Sequence, residues 1–128
     1  MPALSSYDYA IIRVVPRVER GEYLNVGVIL FCRTRRFLAA RVQLDAARLA
    51  AFAPELDHEL IATHLERIPL LCAGGEESGP IGALSQAERF HWLVSPRSTV
   101  IQISPVHCGL SDDPAATLEK LFKQLVEM

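Results

Sequence analysis

The residues with the most binding chemistry in this sequence are arginines and amides at strand-like spacing. In the stretch VERGEYLNVGVILFC, Asn25 and Gly27 interrupt an apolar run, although both residue types are disfavoured in strands. Arg13 and Arg17 lie in and just after the preceding strand-like stretch. Guanidinium groups bind carboxylates and phosphates by charge-assisted hydrogen bonds, and amides can add further polar contacts. The pattern therefore predicts a polar sheet face that binds an anionic or amide-bearing group.

Period-two alternation predicts how these residues are arranged. In an antiparallel hairpin with a loop of about five residues, Arg17 lies opposite Tyr23 and Arg13 lies opposite Gly27. Gly27 then leaves room above the sheet for the Arg13 guanidinium or for a ligand. The alternative is that Gly27 marks a bulge and that Asn25 bonds its own backbone.

A second polar row is expected in a later strand, Ser98–Ser104. With Ile101 and Ile103 facing the core, Gln102 points outward. Arg97 precedes this strand and His107 follows it, so both are expected at the rim of the same face. The predicted ligand- or partner-binding residues are Arg13, Arg17, Asn25, Gly27, Arg97, Gln102 and His107.

The sequence contains no established catalytic motif: Walker A, G-x-G-x-x-G, G-x-S-x-G, S-x-x-K and H-E-x-x-H are all missing. The histidines and cysteines lack metal-ligand spacing, so no metal and no cofactor are expected. His107 and Cys108 are adjacent but have no third, orienting residue. His64 lies on an apolar helical stripe and is expected in the core. These observations favour a protein that is not an enzyme. If it is an enzyme, the sequence does not identify its catalytic residues.

The elements expected to position these residues make an α+β fold. An antiparallel sheet of about four strands, three of them in an N-terminal meander, packs against about four helices. Helix starts are marked by Asp45, by a capping box of Ser85 and Glu88, and by Asp113 before Pro114. Pro69 is expected to kink or end the second helix. The expected strands are Tyr7–Val15, Glu22–Cys32, Phe37–Leu44 and Ser98–Ser104.

Length and composition predict one domain, residues 1–128, with a flexible loop at 73–83. Residues 1–48 hold eight basic and four acidic residues, for a charge of +4, and residues 49–128 hold five and eleven, for −6. The excess of arginine in the first half either arises by chance or provides a surface for an acidic partner. The start lacks a secretory signal, no apolar run suits a membrane helix, and three cysteines give no disulfide framework, so a cytoplasmic protein is expected.

The chain resembles a known family at several points in the same order. The blocks are YAIIRVVPRVERGEYLNVGVILFC, LERIPLLCAGGE, GPIGALSQAERFHWLVSPRSTVIQISPVHCGL and the closing helix. They resemble the bacterial family known as domain of unknown function 3037, over nearly the whole chain. The resemblance implies a small cytosolic protein and carries no catalytic residues. It also implies a genomic association with HipA-like serine/threonine kinases, and hence a partner or regulator role.

Three functions remain open from the sequence. The leading hypothesis is an accessory or regulatory module that binds another protein, for which the resemblance suggests a HipA-like kinase. The alternative is an enzyme or sensor for a phosphate-bearing small molecule, with the arginines holding the anion and His107 moving a proton. The second alternative is nucleic-acid binding, with stacking on Tyr7, Tyr9, Tyr23 and Phe37, which the overall acidity disfavours. A homodimer is a further candidate assembly.

Overall fold

The structure, a computed structural model, describes residues 3–75, 78–95 and 100–127. In this part of the chain, three strands are followed by three α-helices, two further strands and a last α-helix, which is an α+β order. They are β1 (Ser5–Val14), β2 (Leu24–Cys32), β3 (Phe37–Val42), α1 (Ala46–Phe52), α2 (His58–Ala73), α3 (Gln86–Val94), β4 (Ile101–Ile103), β5 (His107–Ser111) and α4 (Pro114–Leu125).

The strands form one antiparallel sheet with helices on both faces. The order is β3-β2-β1-β4, and β5 also pairs with β1, beside the other half of that strand. One face packs against α1, α2 and α3, and the other packs against α4, which lies on β2 and β3. Every residue from 26 to 32 in β2 is buried, because β2 has a helical layer on each side. The α+β expectation is confirmed, with five strands where about four were expected.

The predicted hairpin register is wrong: the pairing is shifted along β2, and β2 also contains a bulge. Ile12 lies opposite Gly27 and Arg13 lies opposite Asn25, which leaves Val26 as the extra residue between the two pairs. Gly27 therefore shares a face with Ile12, on the side of α1 to α3, and not with Arg13. The alternative prediction is confirmed for the bulge next to Gly27. It is wrong for Asn25, which bonds the carbonyl oxygen of Leu125 and not its own backbone.

Local signals placed the helices well and the later strands poorly. Asp45, Ser85 and Asp113 accept N-cap hydrogen bonds as expected. Pro69 does not end α2, which continues to Ala73 with Leu71 and Cys72 buried beyond it. Packing of that last turn therefore outweighs the hydrogen bond that proline removes. Strand β5 was not predicted, and residues 98–99 of the expected fourth strand lie outside the described residues.

Arg89 joins the end of α2 to the start of α3. Its buried guanidinium donates from Nη1 to the carbonyl oxygens of Leu71 (3.0 Å) and Cys72 (2.7 Å), and from Nε to that of Leu84 (3.1 Å). A cation at a helix C-terminus also stabilises the helix dipole. The described part of residues 73–83 includes a short 3-10 turn, Pro80–Ala83. The flexibility of this loop and the single domain 1–128 stay predictions.

The three cysteines differ sharply in exposure, which predicts their reactivity. Cys32 and Cys72 are buried and Cys108 is exposed, and burial raises the pKa of the Cys72 thiol to about 12. Since the thiolate is the reactive form, a thiol reagent at pH 8 should modify Cys108 alone in the folded protein. Mass spectrometry of the labelled protein, native and in denaturant, measures this. Labelling of Cys72 as fast as Cys108 in the native protein contradicts this packing.

Candidate functional site

The predicted polar row is present across three neighbouring strands. Arg13 in β1 lies opposite Asn25 in β2 and opposite Gln102 in β4. Directly opposed residues of antiparallel strands share a face, so these three side chains line up on the face that carries α4. The bulge creates this arrangement, because it shifts Asn25 into the position opposite Arg13.

Arg13 stacks on a tyrosine ring and has no ion pair with any side chain that the structure describes. Its Cζ atom lies 4.0 Å from the centre of the Tyr23 ring, a cation–π contact, and Tyr23 is 48% exposed. The Nε atom of Arg13 is buried and has no hydrogen-bond partner among the residues the structure describes. A buried donor without a partner costs free energy of folding, about 1–3 kcal/mol. The hydrogen-bonding groups of the Arg13 guanidinium therefore contribute little to the stability of the fold.

Asn25 has a structural contact on one side and an unpaired atom on the other. Its Nδ2 donates to the carbonyl oxygen of Leu125 (3.1 Å), and Arg48 Nη1 donates to that of Val126 (2.9 Å). Both bonds satisfy carbonyls that the end of α4 would otherwise leave open. The Oδ1 atom of Asn25 is buried without a hydrogen-bond partner in the described chain. Asn25 thus fixes the end of α4 beside Arg13.

Aromatic rings extend this row along β1. Tyr9 lies opposite His107, with ring centres 5.3 Å apart, and the Tyr7 and Tyr9 ring centres are 6.1 Å apart. Tyr7 lies over Gly109, where a Cβ atom would be only 2.5 Å from the Tyr7 hydroxyl oxygen. Burial, followed by the neighbouring Tyr9 and Cys108, raises the pKa of Tyr7.

We call this surface the β1 strip. It is partly exposed beside α4, because α4 lies mainly on β2 and β3. His107 lies opposite Tyr9, which is four positions along β1 from Arg13, about 13 Å at the usual strand rise, so one small group could not contact both side chains. The strip consists of Tyr7, Tyr9, Arg13, Tyr23, Asn25, Gln102 and His107.

Two of the predicted site residues lie elsewhere. Arg17 is exposed and borders a separate groove with Arg20 and Glu55, because the chain leaves the sheet after Val14. Gly27 faces the layer of α1 to α3, where Ile12 fills the space that was expected to be open. Arg97 lies outside the described residues.

The list of predicted site residues omitted the tyrosines, which were considered only as stacking residues for a nucleic acid. Tyr7, Tyr9 and Arg13 alternate along β1 with the period of two that places them on one face. Tyr23 was expected opposite Arg17 but stacks on Arg13, because its position depends on the bulge and on a connection over residues 15–23. His64, expected in the core, is instead exposed on α2.

The β1 strip offers several kinds of binding group. It combines aromatic faces, one guanidinium, two side-chain amides and one imidazole. Within the described residues, no group of three or more His, Cys, Asp or Glu side chains is arranged to hold a metal ion. In the same part of the chain, no helix has the length and apolar character needed to cross a membrane.

Comparison with known proteins places this chain in a family. The family model described as "Protein of unknown function (DUF3037)" matches residues 9–126, and the chain belongs to that family. The match covers nearly the whole α+β unit, including the three strands that carry Arg13, Asn25 and Gln102. No curated protein and no solved structure matches the chain.

Proposed function

We propose that this protein is an accessory module that binds another protein through the β1 strip. The observation that carries the proposal is the buried Nε of Arg13 beside the buried Oδ1 of Asn25, neither of which has a hydrogen-bond partner among the described residues. Polar groups kept at a cost to stability commonly mark functional positions. The strip lies on a sheet face that α4 leaves partly exposed, where a partner has access.

The composition of the strip supports a protein partner. Tyrosine and arginine are the residue types enriched at the centres of protein interfaces, because they bury large areas and also hydrogen-bond. Tyr23 and His107 are exposed, while Tyr7, Tyr9 and Arg13 are half-buried, so much of the contact area is held in place before binding. Preorganisation of this kind lowers the entropy cost of association.

The other two functions have less support. The predicted phosphate site used Arg13 and Arg17 together, yet Arg17 borders a separate groove. Nucleic-acid binding would use the same rings for stacking, but the chain carries a net charge of −2. The family resemblance adds a HipA-like kinase as the partner to test first, and a cytoplasmic location is part of the same proposal.

Replacing Arg13 by Met tests this proposal, because Met keeps apolar bulk beside Tyr23 and removes the charge. We expect the stability of Arg13→Met to stay within about 1 kcal/mol of the wild type or to rise, since an unpaired buried donor is removed. We expect its complex with the partner to weaken by at least about tenfold. Urea unfolding and native mass spectrometry of protein recovered at low salt from its own host measure the two effects.

Arg33→Met is the matched control, because Arg33 lies on an exposed turn between β2 and β3. It should leave the complex intact. Recovery of the wild type without a second polypeptide, or with a bound small molecule that Arg13→Met removes, contradicts the proposal. A complex that survives Arg13→Met as well as Arg33→Met contradicts it too.

A further inference from the structure

An open groove lies on the sheet face opposite the β1 strip, between α2, α3 and the start of β4. Its volume is 460 Å³, within the range of about 300–1,000 Å³ typical of small-molecule sites. Its walls are mostly apolar and include Leu93 and Ile101. Leu60 is 56% exposed and Trp92 is 39% exposed at its edge, so large apolar side chains there remain open to solvent.

The ionisable side chains that border the groove differ in their hydrogen bonding. His64 and Arg67 are three residues apart on α2, so they lie on one face of the helix and both border the groove. Within the described residues, neither side chain has a hydrogen bond or an ion pair. The one acidic side chain of the lining, Asp57, is engaged as the N-cap of α2 and accepts a hydrogen bond from the Leu60 amide (3.2 Å).

We propose that this groove binds an apolar organic acid. The apolar body of the ligand lies against Leu60, Trp92 and Ile101, and its carboxylate binds the guanidinium of Arg67 next to His64. The groove and an acid are complementary in charge: within the described residues, Arg67 at the rim has no ion pair. The only acidic group of the described lining, Asp57, lies ten residues earlier at the start of α2, about 15 Å away along the helix. An anionic head on an apolar body satisfies both parts of the surface. This site is independent of the β1 strip.

The single tryptophan of the chain provides the measurement, since Trp92 borders the groove. Titration of the full chain with decanoate, below the concentration at which it forms micelles, should shift the Trp92 emission to a saturable limit. Decanol and decylamine, which share the alkyl chain, should bind more weakly. Arg67→Gln should weaken decanoate binding about tenfold or more, as expected for the loss of a hydrogen bond to a charged group.

Arg33→Gln makes the same change on an exposed turn and should bind decanoate like the wild type. No emission change with decanoate overturns the proposal. Equal binding of decanol and decanoate, unchanged by Arg67→Gln, overturns the choice of an acid. An emission that depends on protein concentration alone indicates that a second copy occupies the groove, and this also overturns the proposal.

Discussion

Replacing Phe122 by Ala is expected to lower the free energy of unfolding by about 3–5 kcal/mol, the usual range for a buried Phe truncated to Ala. Phe122 is completely buried and anchors α4 to Val28, Leu30 and Cys32 of β2. The Arg41 guanidinium lies 4.8 Å from the centre of its ring. Removing the ring leaves a cavity under α4 that the sheet cannot collapse to fill. Urea unfolding, with the midpoint compared at an unchanged m-value, measures the loss.

Phe52→Ala is the matched control, because Phe52 is only partly buried at the end of α1. Its expected loss is less than half that of Phe122→Ala. Equal losses for the two variants would mean that α4 is not the anchored second layer described here. Phe122→Ala should also weaken partner binding, because α4 borders the β1 strip through Asn25.

Gly27→Asn should destabilise the protein by about 3 kcal/mol or more, because it combines overpacking with burial of an unpaired amide. A Cβ atom at this position would lie 2.7 Å from the backbone oxygen of Arg41 and 2.9 Å from Ile12 Cδ1. The backbone oxygen belongs to the neighbouring strand, so it can move only if the β2–β3 pairing opens.

Gly21→Asn is the control for this change. Gly21 has φ +71°, and a Cβ atom at this position would have no neighbouring atom of the described chain within 4 Å. Asn tolerates this left-handed conformation, so the expected loss is at most about 1 kcal/mol. If Gly27→Asn and Gly21→Asn lower the free energy of unfolding by similar amounts, the close contact with the neighbouring strand is not the reason for a glycine at position 27.

The fold class and the helix starts could be predicted because their signals are local. Asp45, Ser85 and Asp113 each cap the helix that follows, as their spacing indicates. The placement of α4 on the second sheet face could not be predicted, because an apolar helical stripe does not specify which face it covers. Strand β5 was missed because its five residues, HCGLS, include no β-branched or aromatic residue and contain a glycine, which is depleted in strands.

The candidate site was predictable only in part. Arg13, Asn25 and Gln102 could be grouped on one face from strand periodicity, and the structure brings them together. Gly27 was placed with them because period-two reasoning assumes an unbroken strand, and one bulge moves every later residue to the other face. The register of β1 against β2 depends on the connection over residues 15–23, and the local sequence did not reveal how long this connection is.

Photo-crosslinking in the native host decides whether the β1 strip is a protein interface. A photoreactive phenylalanine replaces Tyr23, which is exposed and stacks on Arg13, or Leu70, which is 47% exposed on α2 away from the strip. We expect a discrete, nuclease-resistant protein adduct from position 23 and none from position 70. The absence of a protein adduct at position 23, an adduct removed by nuclease, or equal adducts at both positions contradicts the β1 strip as a protein interface.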